Sequence, residues 1–463
     1  MMLILMLCLQ MRLMTPTLSG FISDNFEVVN HNESFDFLID SGFDATVWRN
    51  KDTGETYVTM QGTTGFEDFV TDIDLTLSGV ARAQIKDMVN WCLKNTTPVG
   101  QTVIQIGLLN GVFVPSLPTE GTGFLTDVTT VSVNGHSLGG HLSTAFTRLF
   151  GGQWDLEHTY TYNSAGFTLT SGAFFNNIDL ILGEGVGMGR FPNENEQSNF
   201  FAENGISVTT RTFLNGQLGQ RIPIFNEESG NPINNHFMYK LTDTLALGNL
   251  ISNFDGTFNI LEMNGLFEVG SKQTDSSLEN ILDSLRKIYI GDSIVATPIG
   301  DVSNSEASRV KFHENIKELQ DILFGIDGNL APLYQGAEII SLHNASASEI
   351  KIKALGLGLD NPDDAIAYRY ALLNLNPFVI TTDNNSIYDA HNVNDELELE
   401  NFSENYLTDR AGFLATKITE NLQDLGGVIV DGSSLEIRKF TQLARDGSEL
   451  ESAREFRPGF STT

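Results

Sequence analysis

The segment 128–140, VTTVSVNGHSLGG, constrains the fold more than any other part of the chain. A β-branched run (128–133) reads as a buried strand, and LSTAFTRLF (142–150), ending at Gly151, reads as a helix. Between them only Asn134–Gly140 is left to reverse the chain. A reversal that tight needs residues without side chains two positions before and after its apex, because helix must pack directly on strand. Gly135 and Gly139 stand at those positions, with Ser137 at the apex. In a chain with 43 glycines the bare Gly-x-Ser-x-Gly pattern is weak. Its setting between strand and helix marks Ser137 as a candidate nucleophile.

Other elements support a parallel sheet. Residues 45–50 (ATVWRN), the turn Lys51-Asp52-Thr53-Gly54 and 55–62 (ETYVTMQG) predict a hairpin. Residues 79–95 carry a helical stripe of Val80, Ile85, Met88, Val89 and Leu93. Two further strands are predicted at 159–167 (TYTYNSAGF) and 206–214 (ISVTTRTFL). Strand, helix, strand in this rhythm means an α/β fold. Beyond about residue 250 the pattern turns helical. Ser276-x-x-Glu279 predicts a capping box, a second helix covers 305–324 before Gly325, and Asn361-Pro362 opens a third. The expected organisation is an N-terminal segment (1–20), an α/β domain (21–250) and a mainly helical accessory domain (251–463). No fixed-period repeat occurs, including the glycine-aspartate nonapeptide array of calcium-binding β-rolls.

Composition narrows the function. Lys and Arg total 27 against 59 Asp and Glu, a net charge of −32. Such a surface repels phosphate backbones and excludes nucleic-acid binding through a basic face. Cys8 and Cys92 make neither a disulfide framework nor a thiolate zinc cluster. The apolar start MMLILMLCL is too short to span a bilayer and lacks the flanks of a signal peptide. The expectation is a chain without a transmembrane segment, exported in bacterial fashion to the extracellular space without a clear N-terminal signal.

The second chemical feature is QGTTGFEDF, residues 61–69, at the end of the hairpin's second strand. Strand C-termini line the ligand crevice of a doubly wound sheet, so amides at such a corner suit an oxyanion. Together with GHSLGG and TYTYNSAGF, QGTTGFEDFVTDIDL resembles the segments of class 3 (fungal-type) lipases over roughly residues 40–250. NHFMYKLTDTLAL (235–247) is similar to the catalytic-histidine region of bacterial secreted lipase-like proteins, many of which carry calcium-binding repeats. YRYALLNLNPF and YLTDRAGFL are similar to sequence that accompanies those regions. The resemblance implies an α/β-hydrolase fold with a mostly parallel central sheet, and hydrolysis of lipid carboxylesters at an interface. Residue by residue it implies Ser137 as nucleophile, His236 as base, and the Thr63 and Leu138 amides as oxyanion hole.

Elimination among the eight histidines leads independently to His236. His31 precedes the nucleophile, His136 and His141 belong to the elbow, and His158 comes too early. His313, His343 and His391 lie in the accessory region. The acid is where the pattern breaks. The family places it after the strand corresponding to 206–214, where this chain has Asn215 and no carboxylate. Asp179 is the first candidate, ahead of Glu227, with Glu228 also near; Asn215 itself would give a weakened triad.

Residues 172–190 combine apolar side chains with flanking glycines and predict a lid, with 102–125 as a rival apolar insertion. No cofactor is required, although the acidic doublets Asp72/Asp74 and Glu194/Glu196 have the oxygen chemistry for calcium. The expectation is a serine hydrolase of lipid esters, of lipase or phospholipase type. The alternatives are another α/β-hydrolase, such as an esterase or peptidase, and a catalytically weak lipid- or surface-binding module of a secreted adhesin or toxin.

Overall fold

The computed structural model describes residues 16–32, 41, 43–61, 73–167, 171–183, 190–205, 217–227, 234–271, 276–299, 306–325 and 328–425. These form two compact units, 1–242 and 243–463.

The first unit opens with helix α1 (Pro16–Asn25) and strand β1 (Phe26–Asn32). Strands β2 (Ala45–Asn50) and β3 (Thr56–Met60) form the expected hairpin, its turn closed by Gly54 at φ +76°. Helix α2 (Ile73–Thr96) is longer than its apolar stripe and leads into a separate hairpin, β4 (Thr102–Leu109) and β5 (Val112–Glu120). Then come β6 (Thr130–His136), α3 (Leu138–Phe150), β7 (Asp155–Tyr162), α4 (Ser171–Leu182), β8 (Gln197–Ala202) and β9 (Gln220–Ile224). Among the described residues, seven strands make one sheet in the order β1-β2-β3-β6-β7-β8-β9. The first two pairings are antiparallel and the remaining four parallel. This is the mostly parallel sheet with flanking helices expected of the α/β domain.

Helix α3 sits at the centre of this unit, with all its residues buried. Only part of its surface is apolar: Leu142, Phe146, Leu149 and Phe150 join the core, and Phe146 stacks on Trp154 at 5.4 Å. Each such side chain contributes about 1.5–3 kcal/mol by leaving water. The polar positions are satisfied locally. Ser143 and Thr144 donate to the carbonyls one turn back at 2.9 and 3.0 Å, and the Thr147 hydroxyl meets that of Thr159 at 2.6 Å. Buried hydroxyls with partners avoid the desolvation penalty that would otherwise push this helix to the surface.

The predicted lid is largely a core helix. In α4, Phe175 and Ile178 are fully buried, and Phe174, Ile181 and Leu182 pack against the same core. Apolar side chains at helical spacing here fill the interior. Residues 184–189 lie outside the described set, as does the predicted strand at 206–214.

The chain enters the second unit within α5 (Met238–Phe254). That unit is mainly helical: α6 (Ile260–Glu268), α7 (Ser277–Ile290), α8 (Glu306–Leu323), α9 (Ala347–Ala354), α10 (Ala365–Asn374) and α11 (Glu404–Leu425). A two-stranded antiparallel sheet, β10 (Glu338–Ser341) with β11 (Phe378–Thr381), accompanies them. The Ser276 capping box does not form, because the Ser276 hydroxyl meets Ser271 at 2.9 Å instead of a backbone N–H. A complete capping box occurs at Ser346 and Glu349. A buried charge cluster ties α5 to α8: Asp243 accepts from Arg309 and His313, each at 2.9 Å. Burial alone would raise the Asp243 carboxyl, but the Arg309 guanidinium, joined by His313, brings it down to about 2.

Candidate active site

Ser137 sits between β6 and α3 with φ +57° and ψ −121°. A serine rarely adopts positive φ, at a cost of order 1–3 kcal/mol, and the surroundings must hold it there. Three main-chain bonds do so. The Ser137 N–H donates to the Tyr162 carbonyl at 3.0 Å, and its carbonyl accepts from His141 and Ala165 at 3.3 and 3.2 Å.

The glycines around it are required by space. A Cβ on Gly135 would lie 2.1 Å from the Gly139 carbonyl oxygen, and one on Gly139 would lie 2.1 Å from the Met60 carbonyl oxygen. A Cβ on Gly140 would meet the Ser164 side chain at 2.7 Å. Helix α3 therefore starts in backbone contact with β3 and β6. Its first N–H groups, Leu138 among them, have no intrahelical acceptor, and the positive end of the helix dipole faces the apex. This is the arrangement that stabilises an anion beside a serine oxygen. Thr63, the other expected oxyanion donor, lies outside the described residues.

His236 ends a 3-10 turn, Asn234–His236, and is fully buried. It is anchored to the elbow through its main chain. Its carbonyl accepts from His136 Nε2 at 2.9 Å and from Asn163 Nδ2 at 3.1 Å. The His136 and His236 rings lie 4.8 Å apart, centroid to centroid. The structure thus brings His236 against the residue preceding Ser137. Because the partner of His136 Nε2 is a carbonyl, that nitrogen carries the proton, which fixes the neutral tautomer. Burial pushes His136 down to about 4. Burial, and after it the neighbouring His136, holds His236 well below the ordinary histidine range. Both imidazoles are neutral at pH 7, and a neutral imidazole is the form that accepts a proton.

His141, the other elbow histidine, stacks on Phe167 with centroids 3.9 Å apart and is a packing residue.

Asp179 is not brought to this cluster. Its carboxylate pairs with both terminal nitrogens of Arg148, one at 3.2 Å. Arg148 lies in the last turn of α3, whereas Ser137 caps the first. At 1.5 Å per residue that separates them by roughly 16 Å along the helix. The Glu227 carbonyl accepts from Lys240 Nζ, and Glu228 and Asn215 lie outside the described residues. Of the acidic doublets, Asp72 lies outside as well, and Glu196 is engaged twice by Arg190, at 2.6 and 2.7 Å. Among the described residues, no group of three or more His, Cys, Asp or Glu side chains is placed to hold a metal ion.

A carboxylate the sequence reading passed over stands at the end of β8. Glu203 follows Ala202, whose N–H donates to Asn163 Oδ1 at 2.9 Å. Asn163 therefore links the start of the Glu203 loop to the His236 carbonyl. The Glu203 N–H donates to the Ile224 carbonyl at 3.0 Å, and Asn204 and Asn226 bond each other through side chains and main chains at 2.8–3.1 Å. The loop is fixed on both sides. Glu203 is half-buried, and burial raises its carboxyl. Ser137, Glu203 and His236 follow the parallel strands β6, β8 and β9 in chain order, the order in which the expected kind of hydrolase would carry nucleophile, acid and base. The sequence signal for it was faint: the strand before Glu203 is QSNFFA, which has no β-branched residue.

No protein-family profile matches the chain, and no curated protein does. Among solved structures, the chain is similar to the Lip2 lipase from Yarrowia lipolytica, at 15% identity over 47% of this chain and 71% of that one, with a TM-score of 0.27. It is also similar to a triacylglycerol lipase from Penicillium expansum, at 15% identity over 44% and 71% of the two chains, with a TM-score of 0.23. Among the described residues no helix is long and apolar enough to cross a membrane.

Proposed function

We propose that the protein is a serine hydrolase of carboxylic esters, acting on lipid esters. The observation that carries this reading is the strained backbone of Ser137 at a glycine-enforced strand-to-helix reversal, with His236 clasped to the adjacent residue. Ser137 Oγ attacks the acyl carbonyl while His236 takes its proton. The Leu138 N–H, at the positive end of α3, stabilises the oxyanion, with Thr63 proposed as the second donor. The imidazolium returns its proton to the leaving alcohol, and water then releases the acyl group from Ser137. Glu203 is proposed as the carboxylate that stabilises the imidazolium, in place of Asp179.

The test is turnover of p-nitrophenyl esters by the wild type and Ser137→Ala. Removing a triad nucleophile lowers turnover by about 10⁶-fold. A variant that keeps a tenth of the wild-type rate overturns the assignment. A preference for long over short acyl chains supports lipid esters over small ones.

A further inference from the structure

From Asn95 to Thr119 the chain carries no Asp, Glu, Lys, Arg or His, although 19% of the whole chain is charged. This stretch builds the β4–β5 hairpin. Its tip is a two-residue turn, Asn110-Gly111, with φ of +52° and +78°; two positive φ values define the turn whose twist suits paired strands. The hairpin is firmly mounted on one side. Asn90 of α2 both donates to and accepts from the Ile106 main chain, at 2.9 and 2.8 Å. The Phe113 N–H donates to Asn177 Oδ1 at 2.9 Å, and the Phe113 ring meets that of Phe174 at 4.7 Å. Apolar side chains stand exposed along it: Leu109 is 61% exposed, Val112 53% and Leu117 85%, with Ile104 and Leu108 also exposed, and Leu109 and Val112, paired across the strands beside the tip, share the face opposite Phe113.

The tip points toward the catalytic end of the sheet. Strands β3 and β6 are parallel, so the intervening α2 runs opposite to them, its N-terminus at the end where Ser137 lies. Ile106 meets Asn90, and Gly111 meets Arg82 eight residues nearer that N-terminus, at 3.4 Å. The hairpin thus climbs α2 toward the site.

We propose that this hairpin docks the protein on an uncharged lipid surface, with Leu109 and Val112 inserted. A net charge of −32 repels an anionic leaflet, and a charge-free apolar projection is the complement of a zwitterionic or neutral one. Scattered exposed apolar residues need no explanation. Several along one uncharged, rigid hairpin aimed at the catalytic end do. The proposal rests on the ester-hydrolase reading for the choice of a lipid as the apolar phase, but binding is measured without turnover.

The experiment is flotation of the full chain, carrying Ser137→Ala, with phosphatidylcholine vesicles and with vesicles half phosphatidylglycerol. The expected result is flotation with the first and markedly less with the second. Adding Leu109→Glu and Val112→Glu lowers partitioning by at least tenfold per side chain, about 1.4 kcal/mol each, because the apolar side chain that enters the lipid is lost. Leu109→Ser with Val112→Thr, milder at the same exposed positions, gives a smaller loss in the same direction. In the Ser137 background both pairs leave soluble-ester turnover unchanged. Absence of flotation with phosphatidylcholine, stronger binding to the anionic vesicles, or equal flotation of the tip variants overturns the proposal. So does a dimer that the tip substitutions convert to monomer without any lipid binding. Loss of the hydrolase reading is seen separately, as soluble-ester turnover that survives Ser137→Ala.

Discussion

Replacing Asn163 by alanine removes a side chain that joins the β8 end to the His236 carbonyl. Asn163 is fully buried, accepts from the Ala202 N–H at 2.9 Å and donates to the His236 carbonyl at 3.1 Å. The His236 carbonyl keeps its bond from His136 Nε2, so it is not orphaned. The Ala202 N–H loses its side-chain acceptor in the interior, which costs about 1–3 kcal/mol. Asn163 also has φ +43°, a conformation that asparagine tolerates and alanine resists by about 1 kcal/mol. The expected total is about 3 kcal/mol. Asn163→Gly loses the bonds but not the conformational freedom, so it should be the milder variant by about 1 kcal/mol. Both variants loosen the base, and displacement of a catalytic group by an ångström lowers turnover by about 100-fold. Urea unfolding of the first unit's transition, read beside ester kcat, measures both effects. Variants within about 0.5 kcal/mol of wild type, with unchanged kcat, refute the clasp.

Glu203→Gln should lower ester kcat by about 10⁴-fold, as loss of a triad carboxylate does, while Asp179→Asn leaves kcat within a few-fold; the reverse pattern returns the acid to Asp179. Gly139→Ala drives a methyl to 2.1 Å from the Met60 carbonyl oxygen, so α3 must shift off β3. Thermal unfolding should show a loss of at least about 2 kcal/mol together with inactivity, and an active protein of wild-type stability contradicts the close approach. The pH profile follows from the buried histidines: with His236 held well below the usual range, the acidic limb of kcat/KM falls well under pH 6.5, and a limb at 7 or above contradicts a buried neutral base. Stability moves with the same sign. Between pH 6.5 and about 4 the unfolded chain binds a proton that folded His136 refuses, so about 3 kcal/mol is lost as pH falls through that window, measurable by urea midpoints.

The elbow was legible because its constraints are steric and local. Gly135 and Gly139 are glycines for want of space, and the flanking strand and helix both lie within fifteen residues of Ser137. His236 was reachable by chain order alone. The clasp was not, since nothing in the sequence says that His136 reaches a carbonyl 100 residues on. Glu203 was passed over because β-propensity favoured 206–214 as the strand, whereas QSNFFA at 197–202 is a strand through its pairing with β7 and β9. Asp179 was drawn in by sequence distance, whereas the structure pairs it with Arg148, at the far end of α3 from Ser137. Phe175 and Ile178 read equally well as lid or core, because periodicity reports a buried face but not what covers it. The apolar insertion at 102–125 folds as a hairpin about Asn110-Gly111, and only the fold shows which of its side chains stay exposed.

The central claim is that Ser137 is an activated nucleophile in the folded protein. Treating the native chain with a fluorophosphonate and locating the adduct by peptide mass spectrometry tests it most directly. A single adduct on Ser137, absent after unfolding in urea and absent from His236→Ala, is the predicted result. No adduct on the native protein, an adduct on another serine, or equal labelling of native and unfolded chains contradicts it.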